Sequence, residues 1–238
     1  MVQPVTQMVT FPSEGRQLAA FLALPAGDQG EGPFPGVVVI HEIYGLNDNI
    51  KDIALRLAAE GYAALAVDLF STGNRTICMF RMMSGLVFNS LNHRGLRDLR
   101  HALDFLAQQP SVDSQRLGAI GFCMGGSLAI AWACTDERLR AIAPFYGMNP
   151  RPLEAVRRSC PVVGSYPEQD FTAGPARKLD AVLDTYQIPH DIKIYPGAKH
   201  SFFNDRGPNY HPAAAHDAWE RVLAFFREHL AGPHLQAL

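Results

Sequence analysis

The sequence alternates short apolar runs with longer segments whose apolar residues recur at helical spacing. The runs Gly36–His41, Ala63–Asp68 and Leu117–Phe122 are apolar through nearly their whole length, as strands are when both faces of a sheet are covered. The segments Asn47–Glu60 and His93–Gln108 carry one apolar stripe each, which is typical of helices packed on such a sheet. This alternation predicts an α/β fold with a mostly parallel central sheet of about eight strands and helices on both faces.

The rest of the chain extends the same pattern. The remaining strand candidates are Thr6–Phe11, Leu18–Leu24, Ala141–Tyr146, Pro161–Ser165 and Asp191–Tyr195, and the remaining helix candidates are Thr172–Tyr186 and His211–Leu230. The first two strands are expected to form an antiparallel hairpin at one sheet edge, with a turn at Ser13-Glu14-Gly15. Phe70–Asn92 has no clean period and is expected to be a loop with a short helix over the site. No repeat or linker divides the chain, so a single domain spanning residues 1–238 is predicted.

The charge of the chain argues against one class of partner. The net charge is −2 and no basic stripe occurs, which argues against nucleic acid binding.

The first residues, Met1 to Val5, lack the charged and apolar regions of a signal peptide, so a cytoplasmic location is expected. The four cysteines are scattered and form no CxxC pair, and they are expected to be reduced thiols.

One segment requires a membrane check. Leu117–Thr135 contains 19 residues without a charge, which is long enough to span a bilayer. It also contains four glycines and divides into a strand, a turn and a helix. A buried strand followed by a helix is therefore predicted, and no membrane partner is expected.

The turn inside that segment, Gly121-Phe122-Cys123-Met124-Gly125, has the G-x-C-x-G pattern of a nucleophile elbow with cysteine in place of serine. The two glycines leave room for tight strand–helix packing around a strained nucleophile. Cys123 would lie at a helix N-terminus, which favours the thiolate. Cys123 is therefore the predicted nucleophile.

A cysteine nucleophile needs a base and a group that orients the base. In hydrolases with this elbow the acid and then the histidine follow the nucleophile along the chain. Asp170 and His200 both follow strand candidates in that order, on loops where an open parallel sheet builds its site. Asp170 has the alternative interpretation of a helix N-cap before Thr172.

The oxyanion hole should use two backbone N–H groups. Met124, the residue after the nucleophile, is one predicted donor, and Ile43, in the loop after Gly36–His41, is the other. Glu42 lies beside that donor, where its charge would repel a developing oxyanion. It could equally be an exposed loop charge or the partner of an arginine.

Together, H-E-I-Y-G at 41–45, G-F-C-M-G-G at 121–126, the Asp170 loop and K-H-S-F-F-N-D at 199–205 resemble the dienelactone hydrolase (carboxymethylenebutenolidase) family. The resemblance extends from Thr6 to Leu230 and implies the α/β-hydrolase fold. It implies Cys123 as nucleophile, His200 as general base and acid, and Asp170 as its orienting partner. It also implies that Glu42 holds the resting thiol neutral and takes its proton when substrate arrives.

Members that act on dienelactones present arginines to the substrate carboxylate, and their placement here is open. The candidates are Arg206, Arg81 and Arg75, each of which could instead be a surface charge. Tyr44, Tyr146 and Phe171 are candidates for lining an apolar pocket, with core packing as the alternative.

The predicted function is hydrolysis of a small ester or lactone through a thioester, by a monomer or homodimer without a cofactor. No metal is expected, because His41-Glu42 is not part of an H-E-x-x-H helix. A general carboxylesterase without carboxylate preference is the nearer alternative. A non-catalytic ligand-binding or redox-sensing protein that uses Cys123 as a reactive thiol is the more distant one.

Overall fold

A computed structural model describes residues 3–26 and 32–230. The strands are β1 (Val5–Ser13), β2 (Arg16–Leu24), β3 (Phe34–Ile40), β4 (Ala63–Asp68), β5 (Val112–Phe122), β6 (Leu139–Phe145), β7 (Val162–Gln169) and β8 (His190–Lys199). The helices are α1 (Asp48–Ala59), α2 (Arg75–Phe88), α3 (Arg94–Ala107), α4 (Met124–Ala133), α5 (Ala173–Thr185) and α6 (Pro212–Leu230), with a 3-10 helix at Leu153–Arg158. The predicted domain also includes residues 1–2, 27–31 and 231–238, which lie outside the described residues.

The strands form one sheet in the order β1-β2-β4-β3-β5-β6-β7-β8. Strands β1 and β2 form the predicted antiparallel hairpin, and β2 continues antiparallel to β4. From β4 through β8 every neighbouring pair is parallel. The predicted α/β fold is therefore confirmed, and the carboxyl ends of β3 and β5–β8 meet at one edge of the sheet.

Two apolar cores cover the two faces of this sheet. Val38 and Ile40 of β3 belong to one core, and the alternate residues Val37 and Val39 belong to the other. Buried side chains of α1 and α6 complete the second core, whereas α3, α4 and α5 complete the first. The continuously apolar strands are explained by this double burial.

The uncharged segment 117–135 folds as predicted, with the end of β5 leading through Cys123 into α4. All ten residues of α4 are buried, which accounts for its lack of charge. None of the described helices has the length and apolar character that a bilayer crossing would need.

The segment 70–92 differs from its prediction, because it contains a regular helix of 14 residues, α2. Asn74 caps the helix by accepting a hydrogen bond from the Ile77 N–H. Only Cys78 and Met82 of this helix are buried, so its apolar residues show no single core-facing stripe. The helical period was therefore hidden from the sequence pattern.

Candidate active site

Five polar or aromatic side chains converge where parallel strands end. Cys123 follows β5, Tyr146 follows β6, Asp170 follows β7, His200 follows β8, and Glu42 lies two residues beyond β3. Loops beyond the carboxyl ends of strands build the ligand site in open α/β sheets. The sheet therefore brings together residues that are up to 158 positions apart in the sequence, from Glu42 to His200.

The elbow holds Cys123 in a strained backbone conformation. Its φ is 54° and its ψ is −111°, outside the regions that residues with a Cβ ordinarily occupy. The Cys123 N–H donates to the Phe145 carbonyl of the neighbouring strand end, and the Ser127 N–H and hydroxyl both donate to the Cys123 carbonyl. These contacts keep the residue in place against the strain, as is common at functional sites.

The glycines of the elbow are required by close backbone approach. A Cβ on Gly125 would collide with the carbonyl oxygens of Ile40 and His41, and one on Gly121 would collide with the Gly125 carbonyl. These obstacles are backbone atoms at the end of β3 and in α4, so no rotamer change relieves the collision.

We expect Gly125→Ala to lower the free energy of unfolding by about 3 kcal/mol, because the strand and helix must separate to admit the methyl group. Urea unfolding followed by circular dichroism measures this change. Gly174→Ala in α5 is the matched control, because nothing lies within 4 Å of the added carbon. An unfolding midpoint for Gly125→Ala equal to that of Gly174→Ala would contradict the tight-elbow interpretation.

The Cys123 thiol is protonated at neutral pH. Burial raises its pKa to about 12, together with the nearby charge of Glu42 and a smaller contribution from Asp170. The Met124 N–H at the start of α4 acts in the opposite direction. Desolvation and the carboxylates therefore outweigh the helix N-terminus, which on its own would favour the thiolate.

Glu42 is a buried residue near Cys123 and Tyr146 and is only 3% exposed. Its Oε1 accepts a hydrogen bond of 2.8 Å from the Ser201 hydroxyl, and the Tyr146 phenol also interacts with Glu42 and Ser201. Burial and the Glu42 charge raise the pKa of Tyr146 well above its usual value, so its proton remains on the phenol. Both Tyr146 and Ser201 have positive φ, 40° and 61°, which marks a second strained cluster beside Cys123.

His41 fixes the backbone that carries Glu42. The ring is fully buried, and its Nε2 accepts from the Leu69 N–H at 3.1 Å. Its Nδ1 therefore carries the proton and donates to the Glu42 carbonyl at 2.6 Å. Burial lowers the pKa of His41, which keeps the ring neutral and preserves both hydrogen bonds.

His200 and Asp170 form a hydrogen-bonded pair in which the His200 side chain is 27% exposed. His200 Nδ1 lies 2.8 Å from Asp170 Oδ2, and Asp170 is 4% exposed. The Thr172 hydroxyl donates to the same carboxylate oxygen at 2.5 Å. Since the carboxylate accepts, Nδ1 carries the ring proton and Nε2 keeps a free lone pair. Phe171 stacks on the ring with centroids 5.3 Å apart.

The predicted oxyanion donors are the first residue of α4, Met124, and a residue of the loop after β3, Ile43. Met124 is the first residue of α4, and its N–H points toward the Cys123 sulfur. Within residues 3–26 and 32–230, the Ile43 N–H has no protein acceptor. Two donors so placed could bind a developing oxyanion.

A cavity of about 130 Å³ opens beside Cys123. One water needs about 10–15 Å³ of such volume, so the cavity has room for several waters or a small organic group. Its wall is mostly apolar and is made by Met83, Leu86, Val87, Met124, Ser127, Tyr146, Met148, Asn149, Pro150, Arg151 and Phe171. Of the predicted pocket residues, Tyr146 and Phe171 therefore reach this wall.

The other predicted substrate residues lie elsewhere. Arg206 pairs with Asp48 and is 58% exposed, and Arg75 donates to the Tyr44 carbonyl. Tyr44 itself is 61% exposed, and Arg81 lines a separate small cavity with His93. None of these four side chains lines the described Cys123 cavity, so their role in binding substrate stays a prediction.

Sequence reasoning assigned no role to several residues that the structure places at the site. Ser201 adjoins His200 in the chain, and this adjacency was the one available signal. Asn149 and Arg151 follow β6 in a loop without a motif, and the α2 residues belong to the segment without a clean period. No group of three or more His, Cys, Asp or Glu among the described residues is arranged to hold a metal ion.

Comparison with known proteins adds evidence from whole sequences and folds. The sequence profile of the Dienelactone hydrolase family matches residues 18–230. A relative from Saccharolobus solfataricus named "Putative carboxymethylenebutenolidase" is 37% identical, covering 92% of this chain and 97% of the relative. A Klebsiella pneumoniae crystal structure titled "Putative Dienelactone Hydrolase" is similar with a TM-score of 0.83 and 28% identity, covering 95% of this chain and all of that one.

A third protein, titled as a dienelactone hydrolase-like promiscuous phosphotriesterase from metagenomic libraries, has a TM-score of 0.84 and 26% identity. The similarity covers 96% of this chain and 99% of that one. The three similarities cover 92–96% of this chain.

Proposed function

Because this chain belongs to the dienelactone hydrolase family and is a hydrolase of that type, we propose that it cleaves a small ester or lactone through a thioester on Cys123. The observation that carries the proposal is the convergence of Cys123, the His200–Asp170 pair and Glu42 beside one small cavity. A cavity of this size and apolar character fits a small acyl substrate.

In the proposed first step, substrate enters beside Glu42 and the carboxylate takes the proton of the Cys123 thiol. The thiolate then attacks the carbonyl carbon, and a C–S bond forms. The oxyanion is bound by the N–H groups of Ile43 and Met124. When the tetrahedral intermediate collapses, the C–O bond breaks, and the leaving oxygen takes its electron pair and, through solvent, the proton held by Glu42.

In the second step, Nε2 of His200 removes a proton from water, and the resulting hydroxide attacks the thioester carbonyl. The C–S bond breaks, the acid product leaves, and the imidazolium returns its proton to the sulfur. Asp170 stabilises the imidazolium and keeps the ring in the required tautomer. Both Glu42 and His200 thus return to their starting protonation states.

The test is direct detection of the thioester. We expect rapid acid quenching during turnover of a para-nitrophenyl ester, followed by mass spectrometry, to find the acyl mass on the peptide that contains Cys123. Acylation of Ser127, which also lines the cavity, would contradict the proposal, as would turnover without any acylated peptide.

The choice between a carboxylated lactone and a neutral ester depends on the charge near the cavity. The mostly apolar wall supports the general carboxylesterase as a second candidate, since the three predicted arginines lie outside the wall. Comparing turnover of dienelactone with that of neutral aryl esters separates the two.

A further inference from the structure

Helix α2 supplies one side of the Cys123 cavity and also packs against α3. The cavity is walled on this side by Met83, Leu86 and Val87. A second face of α2 carries its two buried side chains, Cys78 and Met82, followed by Gly85. At roughly 100° per residue, the centres of these two faces lie about 130° apart around the helix. A shift of α2 toward its buried face is therefore largely a shift away from the cavity.

The ring of His93 lies between this buried face and the start of α3. A Cβ on Gly85 of α2 would lie only 2.8 Å from His93 Cγ, and one on Gly95 of α3 would lie 3.0 Å from His93 Cε1. Both helices therefore bring bare backbone against the imidazole, which is 8% exposed. Because the interior is close-packed, the size of this ring fixes how near the two helices can come.

His93 also begins α3. Its Nδ1 accepts a hydrogen bond of 3.2 Å from the Gly95 N–H, as the side chain of an N-cap residue does. Burial lowers the pKa of His93 to about 4, with Arg97 contributing and Asp98 opposing, so the ring is neutral at neutral pH and Nδ1 keeps its lone pair. The side chain thus has two separable features, a nitrogen that caps α3 and a ring that spaces α2 from α3.

We propose that His93 is a positioning residue that holds α2 at its distance from α3 and thereby sets the width of the Cys123 cavity. The inference rests on the proposed function, because it concerns the acyl group that Cys123 would carry. The substrate property that His93 sets is the length of that acyl chain. Without the ring, α2 can settle toward α3, which moves its cavity face away from Cys123 and leaves room for a longer chain.

The experiment measures kcat/KM for para-nitrophenyl octanoate and para-nitrophenyl butanoate and takes the octanoate-to-butanoate ratio. We expect His93→Asn to raise this ratio about 10-fold, since chain-length selectivity in an apolar pocket is of this order. Asparagine is a good N-cap residue, so the start of α3 is kept. We expect Gly85→Ala to lower the ratio by a similar factor, because its methyl group meets the base of the His93 ring and moves α2 toward the cavity. Alanine favours the helix more than glycine does, so α2 itself is not weakened.

Two further variants separate the ring from the cap. His93→Phe keeps an aromatic ring between the helices but cannot accept from the Gly95 N–H, so it should keep the wild-type ratio and lower the midpoint of urea unfolding. His101→Asn is the matched control, because it removes the same ring from a position on α3 where the side chain is 41% exposed. It should change neither measurement.

Two results would overturn the inference. A ratio that changes in His93→Phe and not in His93→Asn would follow the cap instead of the ring. Ratios that move in the same direction in His93→Asn and Gly85→Ala would indicate general damage to the site instead of a wall that moves outward in one variant and inward in the other.

A measurement without turnover separates this inference from the proposed function. The rates at which methyl and hexyl methanethiosulfonate modify Cys123, followed by mass spectrometry of its peptide, should give a hexyl-to-methyl ratio that rises in His93→Asn and falls in Gly85→Ala. These shifts without ester hydrolysis by the wild type would support the role of His93 and reject the hydrolytic function. Ester hydrolysis with ester and reagent ratios that neither variant changes would overturn the role of His93 and leave the hydrolytic function standing.

Discussion

Replacing Cys123 with alanine is expected to lower kcat/KM for a small aryl ester by about 10⁴-fold or more, the size of effect seen when a covalent nucleophile is removed from a hydrolase. The reason is that, in the proposed mechanism, Glu42 activates the sulfur, and the two backbone donors and His200 act on the intermediates that the sulfur forms. Steady-state assays on purified protein measure the change, and far-ultraviolet circular dichroism checks that the variant folds.

The matched control is Cys134→Ala. Cys134 is another buried thiol with a pKa raised to about 12 by burial, but it lies at the far end of α4. Its loss should leave turnover nearly unchanged, with at most a modest loss of stability from the small cavity. If Cys123→Ala retained more than about a hundredth of the wild-type rate, the covalent mechanism would be rejected, because background chemistry at the site cannot supply that rate.

The second large effect is expected for Glu42→Gln, which should move two measurements in opposite directions. Removing the carboxylate charge lowers the pKa of the Cys123 thiol from about 12, so the thiolate fraction at neutral pH rises and alkylation by iodoacetamide becomes faster. Ester turnover should nevertheless fall by about 10²- to 10⁴-fold, because the group that takes the thiol proton is missing. The pH dependence of alkylation and steady-state ester kinetics measure the two changes.

Glu220→Gln provides the control, since it removes an equal charge from an exposed position on α6. It should alter neither measurement. Slower alkylation of Glu42→Gln, or a variant that reacts faster with both iodoacetamide and esters, would show that Glu42 does not restrain the nucleophile in the proposed way. Slower alkylation together with slower ester turnover would therefore indicate general damage to the site. Faster alkylation together with slower turnover would indicate that Glu42 restrains the thiol and takes its proton.

Several parts of the fold could be predicted because they depend on local patterns. The apolar runs located the inner strands, and Asn47 and Gly61 marked the ends of α1 within a residue or two. The glycine spacing at 121–126 located the turn from β5 into α4. These features depend on backbone sterics and on burial of both sheet faces, which act over a few residues.

The α2 helix and the cavity wall could not be predicted in the same way. Apolar side chains of α2 such as Phe80 and Val87 are exposed or line the cavity. Their spacing in the sequence therefore does not form the core-facing stripe by which a helix is recognised. Arg151 reaches the cavity because Ser90, 61 residues away, holds its backbone. Contacts at such separation leave no periodic signal in the sequence.

By itself, the sequence determined the α/β-hydrolase fold, the elbow at Cys123 and the order of the candidate acid and histidine. The elbow motif by itself favours the thiolate, and only the family resemblance implied a neutral thiol. The tertiary structure supplies the physical reason, because burial and the Glu42 charge outweigh the helix N-terminus and raise the pKa of Cys123. It also decided which arginine lies at the cavity, Arg151, and which aromatic and hydroxyl groups, Tyr146 and Ser201, surround Glu42. Desolvation and charge act through space, so they depend on which strand ends the fold places side by side.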